Sequence, residues 1–151
     1  MAREIERKFL VCGDGWKARA VRSRHVRQAY LALAGKVNVR VRVIDDAEAV
    51  LTIKSAEAGQ SREEFEYPIP LEDAEALIAL RVGNCIEKRR FIVPAGAGAN
   101  WEIDVFDGPH RGLVLAEIEL AEGGDIPERP GWLGEEVTHE ERYYNAALAR
   151  H

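Results

Sequence analysis

The chain has 151 residues, which is enough for one domain with a sizeable core. Hydrophobic residues make up 46% of it and charged residues 31%, which excludes a disordered chain. Its formal net charge of -5 argues against binding to nucleic acid or a membrane surface through bulk positive charge, although a small basic pocket depends only on local charge.

The two cysteines, Cys12 and Cys85, have no Cys or His neighbour at metal-ligand spacing. We therefore expect free thiols in a reducing cytoplasm. The N-terminus is charged from Arg3 onward, so no signal peptide is expected, and no apolar run approaches the length that spans a membrane.

The first predicted strand covers residues 3–12, and its side chains alternate in character. One face carries charges of both signs, from Glu4, Glu6 and Lys8. The opposite face is apolar apart from Arg7. A single strand of this kind is usually an edge strand with a solvated face, but here the pattern recurs along the chain.

Seven more strands are predicted, at residues 25–33, 36–45, 49–55, 62–69, 85–93, 100–106 and 113–121. Most of them repeat the division into an apolar and a charged face. The alternation is sharpest in the third strand, where Arg40 and Arg42 lie between valines. In the sixth strand the phase is ambiguous, because Ile86 has the same parity as Lys88 and Arg90.

Three helices are predicted between or after these strands. The first is short, over residues 16–23, and the second, over 71–80, has acids in its first turn and an apolar stripe. The last begins at Thr138, where Thr138 and Glu141 form a capping box. Residues 122–134 hold four glycines and two prolines, which predicts irregular structure, and residues 56–61 read as a polar loop.

Helices that cover the apolar faces would leave the charged faces together inside a barrel. The acids of that lining are Glu4, Glu6, Glu64, Glu66, Glu102, Asp104, Glu117 and Glu119. The bases are Lys8, Arg40, Arg42, Lys54, Lys88 and Arg90. Short connections make neighbouring strands antiparallel. Burying so many charges is costly unless the interior holds water or ions.

The mixture of signs indicates the ligand. Carboxylates alone would suit a hard cation such as Mg²⁺, Mn²⁺ or Ca²⁺, and guanidinium and ammonium groups alone would suit phosphate. Both on one wall suit a metal–polyphosphate complex, which is the arrangement of a phosphoryl-transfer site. The sequence has no Walker-type glycine loop, so side chains would hold the phosphates.

The segment Glu4-Ile5-Glu6-Arg7-Lys8 matches the Glu-x-Glu-x-Lys signature of the CYTH superfamily, the triphosphate tunnel metalloenzymes. Further segments resemble the family in its own order and cover nearly the whole chain. They are residues 27–31, 39–42, 51–54, 64–70, 88–90, 101–106 and 116–120. The ending, at residues 134–138 and 142–145, is similar to that of the compact bacterial members.

This resemblance implies one CYTH domain over residues 1–151, of the α+β, mostly β class, with a closed eight-stranded antiparallel barrel, a charged lumen and helices outside. It implies phosphate-binding roles for Lys8, Arg40, Arg42, Lys54, Lys88 and Arg90. It implies metal ligands at Glu4, Glu6, Asp104, Glu117 and Glu119, with additional metal or water contacts at Glu64, Glu66 and Glu102. The metal would be Mg²⁺ or Mn²⁺. A tyrosine like Tyr30 pairs with the signature lysine, so the implied catalytic residues are Lys8 and Tyr30.

The leading hypothesis is hydrolysis of inorganic triphosphate to pyrophosphate and phosphate. The alternatives are a class IV-type adenylate cyclase, a thiamine triphosphatase, a non-catalytic polyphosphate-binding module and a β domain with solvated charged faces. The expected partner is a small-molecule triphosphate, with no nucleic acid or membrane; a homodimer is compatible with the sequence. Trp16, Trp101 and Trp132 are expected to be packing residues.

Overall fold

The computed structural model describes residues 4–55, 63–121 and 123–150. Its strands are β1 Glu4–Val11, β2 Arg22–Ala32, β3 Val37–Ile44, β4 Glu48–Ser55, β5 Glu64–Ile69, β6 Val82–Gly96, β7 Ala99–Phe106, β8 Val114–Ala121 and β9 Leu133–Glu136. Its α-helices are α1 Leu71–Ala79 and α2 Asn145–Arg150. Short 3-10 turns lie at Lys17–Arg19, Gly108–His110 and Glu141–Tyr143. The predicted loop at residues 56–61 lies outside the described residues.

The strands form one nine-stranded sheet in the order β5-β4-β3-β2-β6-β7-β8-β1-β9. The strand registers along it are antiparallel. The predicted antiparallel, mostly β class is confirmed, but the sheet has nine strands where eight were expected. Closure of the sheet into a barrel stays a prediction.

The additional strand, β9, lies at the end of a segment that was expected to be irregular. It pairs with β1 through Phe9↔Glu136 and Val11↔Leu133. The amide of Cys12 also donates to the carbonyl of Trp132 at 2.7 Å. The backbone groups along this side of β1 need partners, and satisfying them outweighs the local preference of a glycine- and proline-rich segment for irregular structure.

The chain folds as two compact units. The first comprises Met1–Arg24, Arg89–Phe106 and His110–Glu140, and the second comprises His25–Lys88, Asp107–Pro109 and Glu141–His151. Strands β2 and β6 contribute residues to both units. The assignment of residues 1–151 to a single domain stays a prediction.

The core of the first unit is rich in aromatic rings. Phe9 meets Trp101 edge to face with ring centroids 5.7 Å apart, and Trp101 meets Trp132 in the same manner at 5.4 Å. Trp16 packs on Phe91 at 4.9 Å. These geometries are favourable for aromatic pairs, and all three tryptophans are buried, which confirms their predicted role in packing.

The core of the second unit lies between helix α1 and the apolar faces of neighbouring strands. Ala74 and Ile78 of the helix are buried in one cluster with Val41, Val43 and Ala49. The helix begins after Pro70, and Glu72 and Asp73 in its first turn favour the positive end of the helix dipole. The predicted helix over residues 71–80 and its place over the valine face of β3 are therefore confirmed.

The predicted helix over residues 16–23 is wrong. Only Lys17–Arg19 form a single 3-10 turn, and β2 already begins at Arg22. The amide of Val21 donates to the carbonyl of Ile92 at 2.9 Å. Backbone hydrogen bonding to strand β6 of the same chain therefore replaces the helix that the sequence pattern predicts for this segment.

The predicted helix start at Thr138 is also wrong, because α2 begins at Asn145. The Thr138 hydroxyl does not cap a helix. Its oxygen accepts the backbone amide of Lys8 at 3.0 Å and lies 2.6 Å from a carboxylate oxygen of Glu136. The side chain that resembled a cap therefore supports strand β1.

Strand β6 resolves the ambiguous phase of the sequence. Cys85 packs against the apolar cluster under α1, whereas Phe91 and Val93 belong to the aromatic core. Since these residues have odd numbers, Lys88 and Arg90 lie on the opposite face, as predicted.

Neither helix in the described part of the chain is long and apolar enough to cross a membrane.

Candidate active site

The charged face of the first unit is built by strands β1, β7 and β8. In the register of β1 with β8, Glu6 lies opposite Glu119 and Lys8 opposite Glu117. Glu117 also lies opposite Glu102 of β7. Residues directly opposite each other in an antiparallel pair share a face. The alternation seen in the sequence therefore brings these predicted site residues together.

Lys8 and Glu117 form the central ion pair of this face. The Lys8 Nζ atom lies 3.0 Å from Oε1 of Glu117, and only 8% and 15% of the two side chains are exposed. The backbone of Lys8 is held on both sides: its amide donates to Thr138, and its carbonyl accepts the amide of Val137 at 2.8 Å. The lysine backbone is thus fixed while its ammonium group faces the carboxylates.

Glu6 has an unusual protonation equilibrium. It belongs to the exposed residues of β1, yet protein atoms around its carboxyl group desolvate it. That desolvation, the charges of Glu117 and Glu119 and a hydrogen bond with Glu117 raise the Glu6 pKa to about 7, against the opposing effect of Lys8. The carboxylates here carry more negative charge than Lys8 balances.

Carboxylate oxygens grouped in this way suit a hard divalent cation. Within the described ranges, no three carboxylate, imidazole or thiol groups form a complete metal-binding cluster. Mg²⁺ keeps several waters and binds through one or two carboxylates together with substrate phosphates. Glu6 and Glu117 are of the right chemistry for such a partial site.

Asp104 and Arg90 form a second, tighter pair on the charged face. Nε of Arg90 donates to Oδ1 of Asp104 at 2.7 Å, and a second nitrogen donates to Oδ2 at 2.9 Å. The remaining Arg90 nitrogen lies 2.6 Å from Glu102. Both Asp104 oxygens therefore face a guanidinium group in this structure. The metal-binding role of Asp104 and the phosphate-binding role of Arg90 stay predictions.

The basic face of the second unit lies on strands β2, β3, β4 and β6. Gln28 lies opposite Arg42, and Tyr30 lies opposite Arg40. In β6, Lys88 lies on the side away from helix α1, as these residues do. The members of this face are Gln28, Tyr30, Arg40, Arg42, Thr52, Lys54 and Lys88.

The basic face is fully buried at some positions and partly buried at Arg40, Arg42 and Lys54. Lys88 is only 2% exposed, and Tyr30 only 6%. Its acidic neighbours on β5 are both exposed: Glu64 lies opposite Lys54, and Glu66 lies opposite Thr52. Guanidinium and ammonium groups in this arrangement favour an anion with several oxygen atoms, such as phosphate.

The roles assigned to Glu4 and Tyr30 also stay predictions, and two residues were missed. Glu4 pairs with Ala121 in the sheet, but its side chain lies outside the described residues. The catalytic pairing of Lys8 with Tyr30 stays a prediction. The residues that sequence reasoning missed are Thr138, whose hydroxyl supports Lys8, and Gln28, which is fully buried on the basic face. A glutamine in a predicted strand does not stand out in the sequence as a site residue, because the burial that marks Gln28 is seen only in the structure.

Comparison with known proteins gives concordant results. The model of the CYTH domain family matches residues 2–148. An inorganic triphosphatase of Acetivibrio thermocellus is 42% identical over 151 residues, covering 99% of this chain and 95% of that protein. One from Nitrosomonas europaea is 40% identical over 153 residues, covering 97% and 96%. A crystal structure of an inorganic triphosphatase superposes with a TM-score of 0.77 at 34% identity, covering 100% of this chain and 97% of the other.

Proposed function

Since the chain belongs to the CYTH domain family, we propose that it hydrolyses inorganic triphosphate to pyrophosphate and phosphate. The observation that carries this proposal is the pairing of Lys8 with Glu117 beside Glu6, between the strand that bears the family signature, β1, and its neighbour β8. Relatives named inorganic triphosphatase, at 42% and 40% identity over nearly the whole chain, support the substrate.

The triphosphatases of this family depend on a metal, and we propose Mg²⁺ or Mn²⁺ for this chain. Glu6, Glu117 and Glu119 would hold it, because the antiparallel pairing of β1 with β8 brings these carboxylates to one face. Glu4 and Asp104 are proposed as further ligands, and Glu64, Glu66 and Glu102 as additional contacts. A bound divalent ion supplies charge neutralisation at phosphate oxygens and lowers the pKa of a coordinated water.

The protein's own side chains are proposed to position the substrate and stabilise its charge. In the reaction, the oxygen of a water forms a bond to the terminal phosphorus, the bond to the bridging oxygen breaks, and pyrophosphate leaves with the bonding electrons. Cationic groups lower the barrier where negative charge develops on the leaving diphosphate. The phosphate contacts are assigned to Lys8, Arg40, Arg42, Lys54, Lys88 and Arg90. Lys8 and Tyr30 are assigned the orientation of the attacking water.

A substrate screen tests this proposal. The purified protein is mixed with tripolyphosphate, ATP or thiamine triphosphate, each with Mg²⁺, with Mn²⁺ or with a chelator, and the products are separated. We expect tripolyphosphate to yield pyrophosphate and phosphate fastest, and only when metal is present. Cyclic AMP as the dominant product from ATP would indicate a cyclase. Tight binding of tripolyphosphate without phosphate release under either metal would indicate a binding module.

A cytoplasmic location belongs to the same proposal. Both cysteines, Cys12 and Cys85, are free thiols, which is usual in a reducing compartment. A small-molecule triphosphate is proposed as the partner, without nucleic acid or membrane, in keeping with the net charge of -5.

A further inference from the structure

Gln28 is an anomaly on the basic face of the second unit. Its side chain is 0% exposed, and in the described part of the chain neither Nε2 nor Oε1 has a hydrogen-bond partner. A buried amide that leaves both its donor and its acceptor unused is costly, and such groups in native proteins are rare. An apolar side chain of the same size would avoid that cost.

The position of Gln28 gives a reason for the amide. Ala29, its neighbour in β2, belongs to the apolar cluster under α1, so Gln28 points to the other side of the sheet. There it lies opposite Arg42, two residues before Tyr30. Nε of Arg40, on the adjacent strand, is also buried, and no partner for it lies among the described residues. Unused donors therefore accumulate on one buried surface.

We propose that Gln28 is a substrate-binding residue whose Nε2 donates a hydrogen bond to a non-bridging oxygen of the triphosphate. This inference rests on the proposed function. Every exposed oxygen of a polyphosphate accepts hydrogen bonds, so it satisfies a donor that the protein leaves unused. A neutral amide adds such a contact without adding a further like charge to a face that already holds Arg40, Arg42, Lys54 and Lys88.

The test replaces the amide by side chains of similar size that cannot donate. Gln28→Leu and Gln28→Met are expected to raise the KM for tripolyphosphate about tenfold to a hundredfold, the range for loss of a hydrogen bond to a charged group. The melting temperature should stay the same or rise, because a buried unsatisfied amide is removed. Gln28→Glu adds a negative charge and should raise KM further. The matched control is Arg27→Leu on the opposite face of the same strand, whose guanidinium pairs with Glu75 and Asp46 and which should leave KM unchanged.

Calorimetric binding of tripolyphosphate without added divalent metal separates this inference from the proposed function. If the wild-type protein hydrolyses tripolyphosphate but the Leu and Met variants keep its KM and Kd within twofold, Gln28 does not contact substrate and the inference fails. If the wild type binds tripolyphosphate but releases no phosphate when Mg²⁺ or Mn²⁺ is added, the proposed function fails, while weaker binding by the variants would still support the contact. If the wild type neither binds nor hydrolyses, both fail. Should the Leu variant not fold, the Met and Glu variants decide.

Discussion

Lys8 is the residue on which the candidate site depends most directly. Its ammonium group lies 3.0 Å from Glu117, in a strand whose backbone is fixed by Thr138 and Val137. Removing the cation while leaving the strand in place should lower catalysis far more than stability. We expect Lys8→Ala to reduce kcat for tripolyphosphate by about 10²–10³-fold, the usual effect of losing one preorganised charge-stabilising group.

The measurement is steady-state release of phosphate, with a melting curve for each variant. Lys36→Ala, at an exposed position before β3, is the matched control and should keep wild-type kinetics. A near-normal rate in Lys8→Ala, with the melting temperature maintained, would remove Lys8 from the mechanism.

Glu136 illustrates how a single residue sets the response to acid. Hydrogen bonds from Arg7, at 2.9 and 2.7 Å, and then one from Thr138 outweigh desolvation and lower its pKa from 4.5 to about 2. A depressed folded-state pKa contributes stability that is fully present above pH 4.5 and is lost as the pH falls towards 2. We expect Glu136→Gln to lower stability at neutral pH and to flatten its decline across that window. Denaturant unfolding at a series of pH values measures both effects.

Glu135→Gln, at the exposed neighbouring position, is the control for this experiment and should reproduce the wild-type curve. A wild-type decline retained in full by Glu136→Gln would show that other carboxyl groups dominate the acid response.

At the level of elements, the approach of β6 to helix α2 depends on a glycine. Gly83 has φ +70°, and a Cβ atom there would lie 2.3 Å from the carbonyl oxygen of Ala149. Gly83→Ala must therefore displace the end of α2 as well as adopt a left-handed backbone. We expect a loss of about 1–3 kcal/mol in the free energy of unfolding, measured by denaturant titration.

Gly98 provides a matched control, because it has φ +78° but nothing within 4 Å of the added atom. Gly98→Ala therefore includes only the backbone cost, and the difference between the two variants isolates the contact with α2. Equal losses in both would show that the close approach has no energetic weight.

The elements also show which parts of the fold the sequence predicts. The faces of β1, β3 and β8 follow from local alternation, because a buried face requires it at every second residue. Strand β9 and the role of Thr138 could not be predicted in this way. Both arise from pairing with β1, more than 120 residues away in the chain, as the separation of 130 between Lys8 and Thr138 shows. The sequence at Thr138 matches a capping box, but in the structure its hydroxyl oxygen accepts the backbone amide of Lys8 in β1 instead.

For the candidate site, too, local alternation predicts which residues share a face but not which of them pair. The alternation placed Glu6, Lys8 and Glu117 on one face, as the structure has them. It could not predict that Asp104 would use both oxygens on Arg90, since the choice between two partners on one face depends on distances. Nor could it single out Gln28, because burial, and not residue type, distinguishes that amide.

At the scale of the whole molecule, metal binding should be visible as stability. A ligand that binds only the folded protein stabilises it by about 2.7 kcal/mol at a hundred times its Kd. We expect Mg²⁺ or Mn²⁺ to raise the melting temperature of the wild type, because a cation relieves the repulsion among Glu6, Glu117 and Glu119. Glu117→Gln should lose most of that shift.

The control for the metal experiment is Glu75→Gln, which removes an acid that pairs with Arg27 on the surface. It should keep the full metal-induced shift. An equal shift in the Glu117 variant would place the metal elsewhere on the molecule.

The placement of the tryptophans has a practical consequence. The sequence holds three, Trp16, Trp101 and Trp132, and all three lie in the first unit. Indole emission therefore reports on the surroundings of the first unit, and strands β3 and β4 contain no tryptophan. A tryptophan introduced into β3 or β4 would therefore report on these two strands by its fluorescence.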